Sequence, residues 1–266
     1  MSSKKSSPHS VWMRELFTTY DQMAMRAFRS IGARAKADGT TVTDLDKQAS
    51  ALFLNELKRR TPEYGIVSEE EEGEINPGAD WKWVLDPVDG TASFSRGYPV
   101  WGVGLGLMKG AEPREGYLSF PALNETYAWH DGELYLNGEP SAFPQSDPLD
   151  DNRNILVDAS YHRSVRTHEP LWDTKLRILG STLYHLVSLA MGRCEAMICG
   201  RSSLWDLAAA LPLSRHQGMV EWYLDGTPLE IAALSAKEHY RLRQPLLIGP
   251  PDVLARLQPA VARSMR

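Results

Sequence analysis

The hydrophobic pattern changes once along the chain, and that change limits the folds open to it. From Trp81 to about Gly138, short apolar runs are separated by turn residues. "WKWVLD" is followed by the glycine-spaced run from Val100 to Met108, then by "REGYLSF" and "NETYAWHDGELYLNG", which turns at Asp131-Gly132. Strands joined this closely pair antiparallel. The stretch "SAFPQSDPLDDN", residues 141–152, has the Pro, Ser and Asp content of a linker or surface loop. Beyond it, strands ("NILVD", "KLRILG", "CEAMIC", "MVEWYL", "QPLLIG") alternate with helices ("STLYHLVSLAMGR", "SLWDLAAALPLSRHQ", "PDVLARLQPAVARSM"). Such alternation predicts an α/β layer.

Two helices are expected ahead of the strands. Trp12, Leu16, Tyr20, Met23, Ala27 and Ile31 recur at steps of three and four, which predicts a helix from Val11 to about Lys36. A turn at Gly39 separates it from a second helix, Thr43 to Arg60, with Leu52, Phe53 and Leu57 buried and Pro62 as its stop. "YGIV" then reads as a short strand ending at Ser68. The 266 residues suffice for one large domain or two closely joined halves, here 1–145 and 146–266 as one compact unit.

The net charge of −5, with no basic stripe, argues against a nucleic-acid partner. No window holds 18 consecutive apolar residues, so no membrane span is expected. Cys194 and Cys199 are too few and too close for a disulfide framework and lack partners at zinc-ligand spacing. The polar start "MSSKKSSPHS" lacks the apolar stretch of a signal peptide, so the expectation is a reduced, cytoplasmic protein.

Chemistry concentrates in "WVLDPVDGTASF". The apolar run Trp83-Val84-Leu85 delivers Asp86 and Asp89 to a turn at Pro87, which cannot donate to a sheet ladder. Asp, Pro and Gly also form plain turns. Yet Gly90-Thr91-Ala92-Ser93 could open a short helix whose free amides suit phosphate. Glu69 and Glu70 follow the strand "YGIV" and are expected to point inward, with Glu71, Glu72 and Glu74 facing water. Asp206 stands alone in the apolar segment "SLWDLAAA", either as a functional carboxylate or as a charge satisfied at a helix start. Asp46 in "TDLD" could be part of a capping box with Thr43. Together Glu69, Asp86, Asp89 and Asp206 offer four carboxylates from three segments, and all-oxygen ligands select hard cations such as Mg²⁺. Two such ions can clamp an attacking water and a leaving oxygen.

These segments resemble the inositol monophosphatase family of Mg²⁺-dependent phosphatases. "DPVDGT" is similar to its Asp-Pro-Ile-Asp-Gly-Thr motif, "VSEE" to its Gly-Glu-Glu, "LWDLAAA" to its Trp-Asp-x-Ala-Ala, and "VTDLD" to its Val-Thr-x-x-Asp. "LGSTLYHLVSLAMGRCEAMI" resembles its Gly-Ser/Thr helix and following strand, and the match runs from about Lys36 to Ile231. The resemblance implies a five-layer α-β-α-β-α sandwich and lithium-sensitive hydrolysis of a small phosphate monoester. It implies metal binding by Glu69, Asp86, Asp89, Asp206 and the Val88 carbonyl, with Glu70 reaching a further metal through water. It places Asp46, Thr91 and Glu69 as catalytic groups, with Asp46 and Thr91 orienting and deprotonating the water. Asp89, Gly90, Thr91 and Asp206 would face the substrate, and many relatives are homodimers.

The sequence also departs from the family pattern. The position where inositol-cleaving members carry a sugar-binding glutamate is Cys199, followed by Gly200 and Arg201. Arg201 could suit a second anionic group or be a plain surface arginine. Ser50 replaces an acid four residues after Asp46, and "RHQGM" replaces Glu-Ala-Gly-Gly. The expected substrate is a polyol, sugar or histidinol phosphate. The alternatives are a 3'(2'),5'-bisphosphate nucleotide, fructose 1,6-bisphosphate, or no turnover at all in a binding protein on the same fold.

Overall fold

The structure, a computed structural model, describes residues 8–28, 33–35, 41–144, 154–161 and 175–264. Its helices are α1 (Ser10–Ala27), α2 (Asp44–Arg60), α3 (Thr91–Ser95), α4 (Thr182–Ala190), α5 (Trp205–Ala208), α6 (Leu211–His216) and α7 (Pro251–Ser264). An eight-stranded sheet combines β3 (Gly65–Ser68), β4 (Glu74–Ile75), β5 (Trp81–Asp89), β6 (Gly102–Lys109), β7 (Glu112–Phe120), β8 (Glu125–His130), β9 (Glu133–Leu136) and β10 (Glu139–Ser141) in the order β10-β9-β8-β7-β6-β5-β3-β4. Only β3 and β5 pair in parallel there. A five-stranded mixed sheet has the order β12-β11-β13-β15-β14, from β11 (Asn154–Val157), β12 (Lys175–Arg177), β13 (Ala196–Cys199), β14 (Val220–Tyr223) and β15 (Leu246–Gly249). A small hairpin pairs β1 (Ala33–Ala35) with β2 (Thr41–Thr43).

The period-two pattern of the strands sorts these elements into five layers. In the first sheet, Trp83, Leu85, Val103, Leu105 and Tyr117 turn toward α1 and α2, where they meet Phe17, Tyr20, Leu45 and Phe53. Val84, Leu118 and Phe120 turn the other way, onto Leu183, Leu186 and Val187 of α4 and Leu207 of α5. In the second sheet, Leu156, Met197 and Ile248 join that same central layer, while Ile155, Ile198 and Leu247 pack on Leu254, Leu257 and Val261 of α7. The chain is therefore an α-β-α-β-α sandwich, and its central core draws on both halves of the sequence. Each large apolar side chain buried there contributes roughly 1.5–3 kcal/mol.

Glycine spacing on β6 sets how closely the central helices approach the first sheet. A Cβ on Gly106 would lie 2.7 Å from the carbonyl carbon and oxygen of Ala208. The end of α5 thus rests on bare backbone, and Asp206 is carried down to the sheet with it. The segment read as one helix, "SLWDLAAALPLSRHQ", is two short ones. Pro212 has no N–H to give to the Ala208 carbonyl, so the hydrogen-bond ladder breaks there.

Other expectations need correction. The first helix stops at Ala27, with Phe28 in an extended conformation (ψ 129°), and β1 begins at Ala33. The predicted end at Lys36, the turn at Gly39 and most of the 141–152 loop lie outside the described residues. β5 does not end at Asp86 but runs through Pro87 to Asp89. β12 is shorter than "KLRILG" suggested, and the exposed Ile178 lies beyond it.

Candidate active site

Asp86 and Asp89 are three apart, and in a regular strand such a pair would point to opposite faces. The ladder between β5 and β6 shows why they do not. Asp86 pairs with Gly104 and Asp89 with Gly102, so three steps on β5 oppose two on β6. The extra residue is a bulge at Pro87-Val88, which restores both carboxylates to one side. Asp206 arrives from α5 across the sheet. One carboxylate oxygen from each of Asp86, Asp89 and Asp206 falls within a 4.8 Å cluster.

Electrostatics make this cluster costly without a cation. Asp86 is buried, and its carboxyl is pushed well above the usual range by burial first and then by the charges of Glu69, Asp89, Asp206 and Asp46. Asp206 is raised likewise by burial, Glu69 and Asp89, while the Ser203 amide, 2.6 Å from Oδ2, pulls the other way. Asp89 rises to about 6 through burial, against the Ser181 hydroxyl and the Leu183 and Thr182 amides that it accepts. Among the described residues, none of the three carboxylates pairs with a Lys or Arg. Like charges so close are tolerated in a low-dielectric site only with an opposite charge among them or with protons taken up. An all-oxygen set of this kind fits Mg²⁺.

Glu69 follows β3, its amide donating to the Leu85 carbonyl at 3.2 Å, and its charge raises both Asp86 and Asp206. Glu69 and Glu70 are half-buried, and Glu71 and Glu72 are exposed. Glu74 does not face water: Lys82 Nζ lies 2.5 Å from its Oε1, and the Tyr240 hydroxyl donates to its Oε2 at 2.6 Å. It sits on β4, opposite Val67 of β3.

Asp46 is fully buried in the first turn of α2, and its Oδ1 accepts the Thr91 hydroxyl at 3.0 Å. The same hydroxyl lies 2.8 Å from the Val88 carbonyl. Its single proton can serve only one of these acceptors at a time. The capping-box reading depends on the Thr43 side chain, which lies outside the described residues. Gly90 precedes α3 with φ +85°, and a Cβ there would also meet the Gly180 carbonyl at 2.8 Å. Only glycine takes both the left-handed backbone and that approach without strain.

One position read as substrate-facing behaves differently from expectation. Cys199 is fully buried in β13 within the central core, so its thiol offers no surface to a ligand. Alternation on the strand, which turns Met197 and Cys199 inward together, is the cause. Arg201 is exposed. Sequence reasoning missed two contributors. Ser181 caps α4, its hydroxyl accepting the Tyr184 amide and donating to Asp89 at 2.5 Å. A serine before an apolar helix was its signal. Asp158, buried at the end of β11, had no local signal.

The cluster predicts a metal-dependent pH profile of stability. A carboxyl raised in the folded state holds a proton that the unfolded chain has released, so stability falls as pH rises through its folded value. Asp21, raised to about 6, adds the same slope, and His185, lowered to about 4, the opposite one at acid pH. Neither belongs to the cluster, so the test is the difference between melting curves with Mg²⁺ and with EDTA. That difference is expected to widen from about pH 5 to about pH 8, as protons cease to compete with the cation. A difference that is flat or narrows with pH would contradict a carboxylate metal site.

Comparison with known proteins places the chain among phosphatases. A family model described as "Inositol monophosphatase family" matches residues 13–255. An inositol-1-monophosphatase of Synechocystis is 31% identical over 230 residues, covering 80% of this chain and 78% of the relative. A histidinol-phosphatase of Chlorobaculum parvum is 29% identical over 196 residues, covering 71% and 75%. Among solved structures, an IMPase/NADP phosphatase complexed with Mg²⁺ and phosphate superposes with a TM-score of 0.73 at 20% identity, covering 95% of this chain and 91% of that one.

Proposed function

Since this chain belongs to the inositol monophosphatase family and is a phosphoric monoester hydrolase, we infer that it hydrolyses a small phosphorylated metabolite with Mg²⁺ held by Glu69, Asp86, Asp89, Asp206 and the Val88 carbonyl. The observation that carries this reading is the cluster of three acidic side chains, two buried and one half-buried, with no cationic partner among the described residues. Mg²⁺ there would supply the positive charge that offsets the phosphoryl oxygens and makes a water nucleophilic near neutral pH.

The chain's own residues do the rest. Asp46 and Thr91 form a hydrogen-bonded pair beside the cluster, suited to orient a water and take its proton. Glu69 extends the acidic wall on the side of β3. Gly90 and Thr91 follow Asp89 directly at the start of α3, and their backbone amides are the candidates to hold the phosphate. Glu70, half-buried one position on, is the candidate for contact through water with a further ion. Positioning and charge neutralisation provide most of the rate in such phosphoryl transfers. The two halves, 1–145 and 146–266, act as one unit, because the cluster needs residues from each. The histidinol-phosphatase likeness supports histidinol phosphate within the substrate class, beside polyol and sugar phosphates.

The test is phosphate release from glycerol 2-phosphate, inositol 1-phosphate and histidinol phosphate with Mg²⁺, with EDTA and with added Li⁺. Turnover is expected only with Mg²⁺ and to fall with Li⁺. Thr91→Val is expected to lower kcat about 10²-fold or more with little change in KM, the size typical of a lost proton-transfer contact. Turnover that persists in EDTA would sink the metal reading, and an unchanged kcat in Thr91→Val would remove that residue from the proposed chemistry.

A further inference from the structure

We propose that the cavity between α1 and the strands β7, β8 and β9 binds an organic ammonium carried on a planar apolar body, with Asp21 as its counter-ion. The cavity has a volume of about 620 Å³, and no residue of the acidic cluster lines it. Small-molecule sites usually enclose roughly 300–1,000 Å³. Its origin is in the strand register. Ala128 on β8 stands opposite Tyr117 on β7 and Tyr135 on β9. An alanine between two tyrosines leaves a hollow on that face of the sheet. α1 lies along one side of the hollow, with the Phe17 ring 6.3 Å from that of Tyr117.

Most polar atoms around the hollow are engaged within the fold. The Tyr117 hydroxyl donates to Glu115 at 2.7 Å and the Tyr135 hydroxyl to Glu133 at 3.3 Å. His130 is stacked on Tyr135 with ring centroids 4.4 Å apart, and its Nδ1 is 3.0 Å from Asp131 Oδ2. The Asn137 side-chain oxygen accepts the Thr126 amide at 2.8 Å. These groups offer a ligand ring surface and little hydrogen bonding. Val11, 73% exposed, extends the apolar lining to the rim.

Asp21 is the exception. Its Oδ1 accepts the Ser119 hydroxyl at 2.6 Å, and among the described residues its Oδ2 has no partner. The carboxyl is half-buried, burial raises it to about 6, and among the described residues no cation offsets that cost. An ammonium there supplies the missing charge and donates to the open oxygen. Arg14 sets the orientation. It is two helical turns from Asp21, about 10 Å along the axis, and its guanidinium donates to the Gly138 carbonyl at 3.1 Å. That end of the cavity is positive and turns a cation toward Asp21, with the apolar body between the two poles. Glu15 also lines the cavity but is exposed, where water screens its charge.

The experiment is calorimetric titration of the full chain with tryptamine, an ammonium on an indole ring, and with tryptophol, which has a hydroxyl in the ammonium's place. Both are run in saturating Mg²⁺, so that the acidic cluster does not compete for the amine. Tryptamine is expected to bind at one site, and tryptophol roughly ten- to a hundredfold more weakly, the size of a lost charge-assisted hydrogen bond. Asp21→Asn keeps the shape and an acceptor for Ser119. It is expected to reduce tryptamine to the affinity of tryptophol and to leave tryptophol within about twofold. Ala128→Leu fills the hollow and is expected to weaken both. Melting curves of each variant check that it is folded. Asp86→Asn is expected to leave tryptamine binding within about twofold, and a loss there would put the amine in the acidic cluster and overturn the proposal. Tryptamine that binds no better than tryptophol, or wild-type protein that binds neither, would overturn it as well.

Discussion

Asp86→Asn is expected to cut Mg²⁺-dependent phosphate release by roughly 10³-fold or more, and in the same protein to raise the melting temperature measured in EDTA. The two effects have one cause. Asp86 is buried in the acidic cluster, with the negative charges of Glu69, Asp89, Asp206 and Asp46 acting on it. With the cation removed, its ionised form is a liability to the fold, and an amide of the same shape relieves it. With the cation present the sign reverses, because the carboxylate that destabilised the empty fold now binds Mg²⁺. Ligand at about 100 times Kd adds about 2.7 kcal/mol to wild-type stability, and most of that increment should be missing from the variant. Phosphate release and melting curves with and without metal check both halves. A variant less stable than wild type in EDTA would mean that Asp86 is held by favourable contacts and is not strained by its neighbours.

Gly106→Ala is expected to destabilise by about 1–3 kcal/mol, the usual range for overpacking, and to weaken the Mg²⁺ response although residue 106 is no part of the acidic cluster. The added methyl would stand 2.7 Å from the Ala208 backbone, which is not the movable end of a side chain. Something must shift, and the adjoining residue is Ala208 at the end of α5, two positions after Asp206. Gly78→Ala serves as control, since a Cβ there meets nothing within 4 Å. Denaturant unfolding of both variants and their melting shift with Mg²⁺ measure the effect. Equal stability of the two variants would show that α5 can lift off β6 at no cost.

Much of the site was legible because its residues sit in motifs with strong local chemistry. Carboxylates at a Pro-Gly turn, acids at a strand end and one acid in an apolar helix are each visible in one dimension. The sandwich was legible in its halves, from antiparallel spacing before residue 141 and strand–helix alternation after it. What escaped depended on neighbours distant in sequence. The continuation of β5 through Pro87 is decided by β6, which pairs on both sides of the bulge. The inward turn of Glu74 is decided by Lys82 and Tyr240. Cys199 was assigned by its offset from Asp206, whereas strand alternation governs where its thiol goes. Asp158 is invisible until β11 and β13 lie side by side.

The Asp89 carboxylate gathers the Ser181 hydroxyl and the first amides of α4, a helix that follows it by most of a hundred positions. On a ribosome, Asp86 and Asp89 emerge long before that helix and before Asp206. For that interval the nascent chain carries an acidic strand with neither the cap nor the third carboxylate that its folded form contains. A chain cut short before Asp206 is therefore expected to release no phosphate.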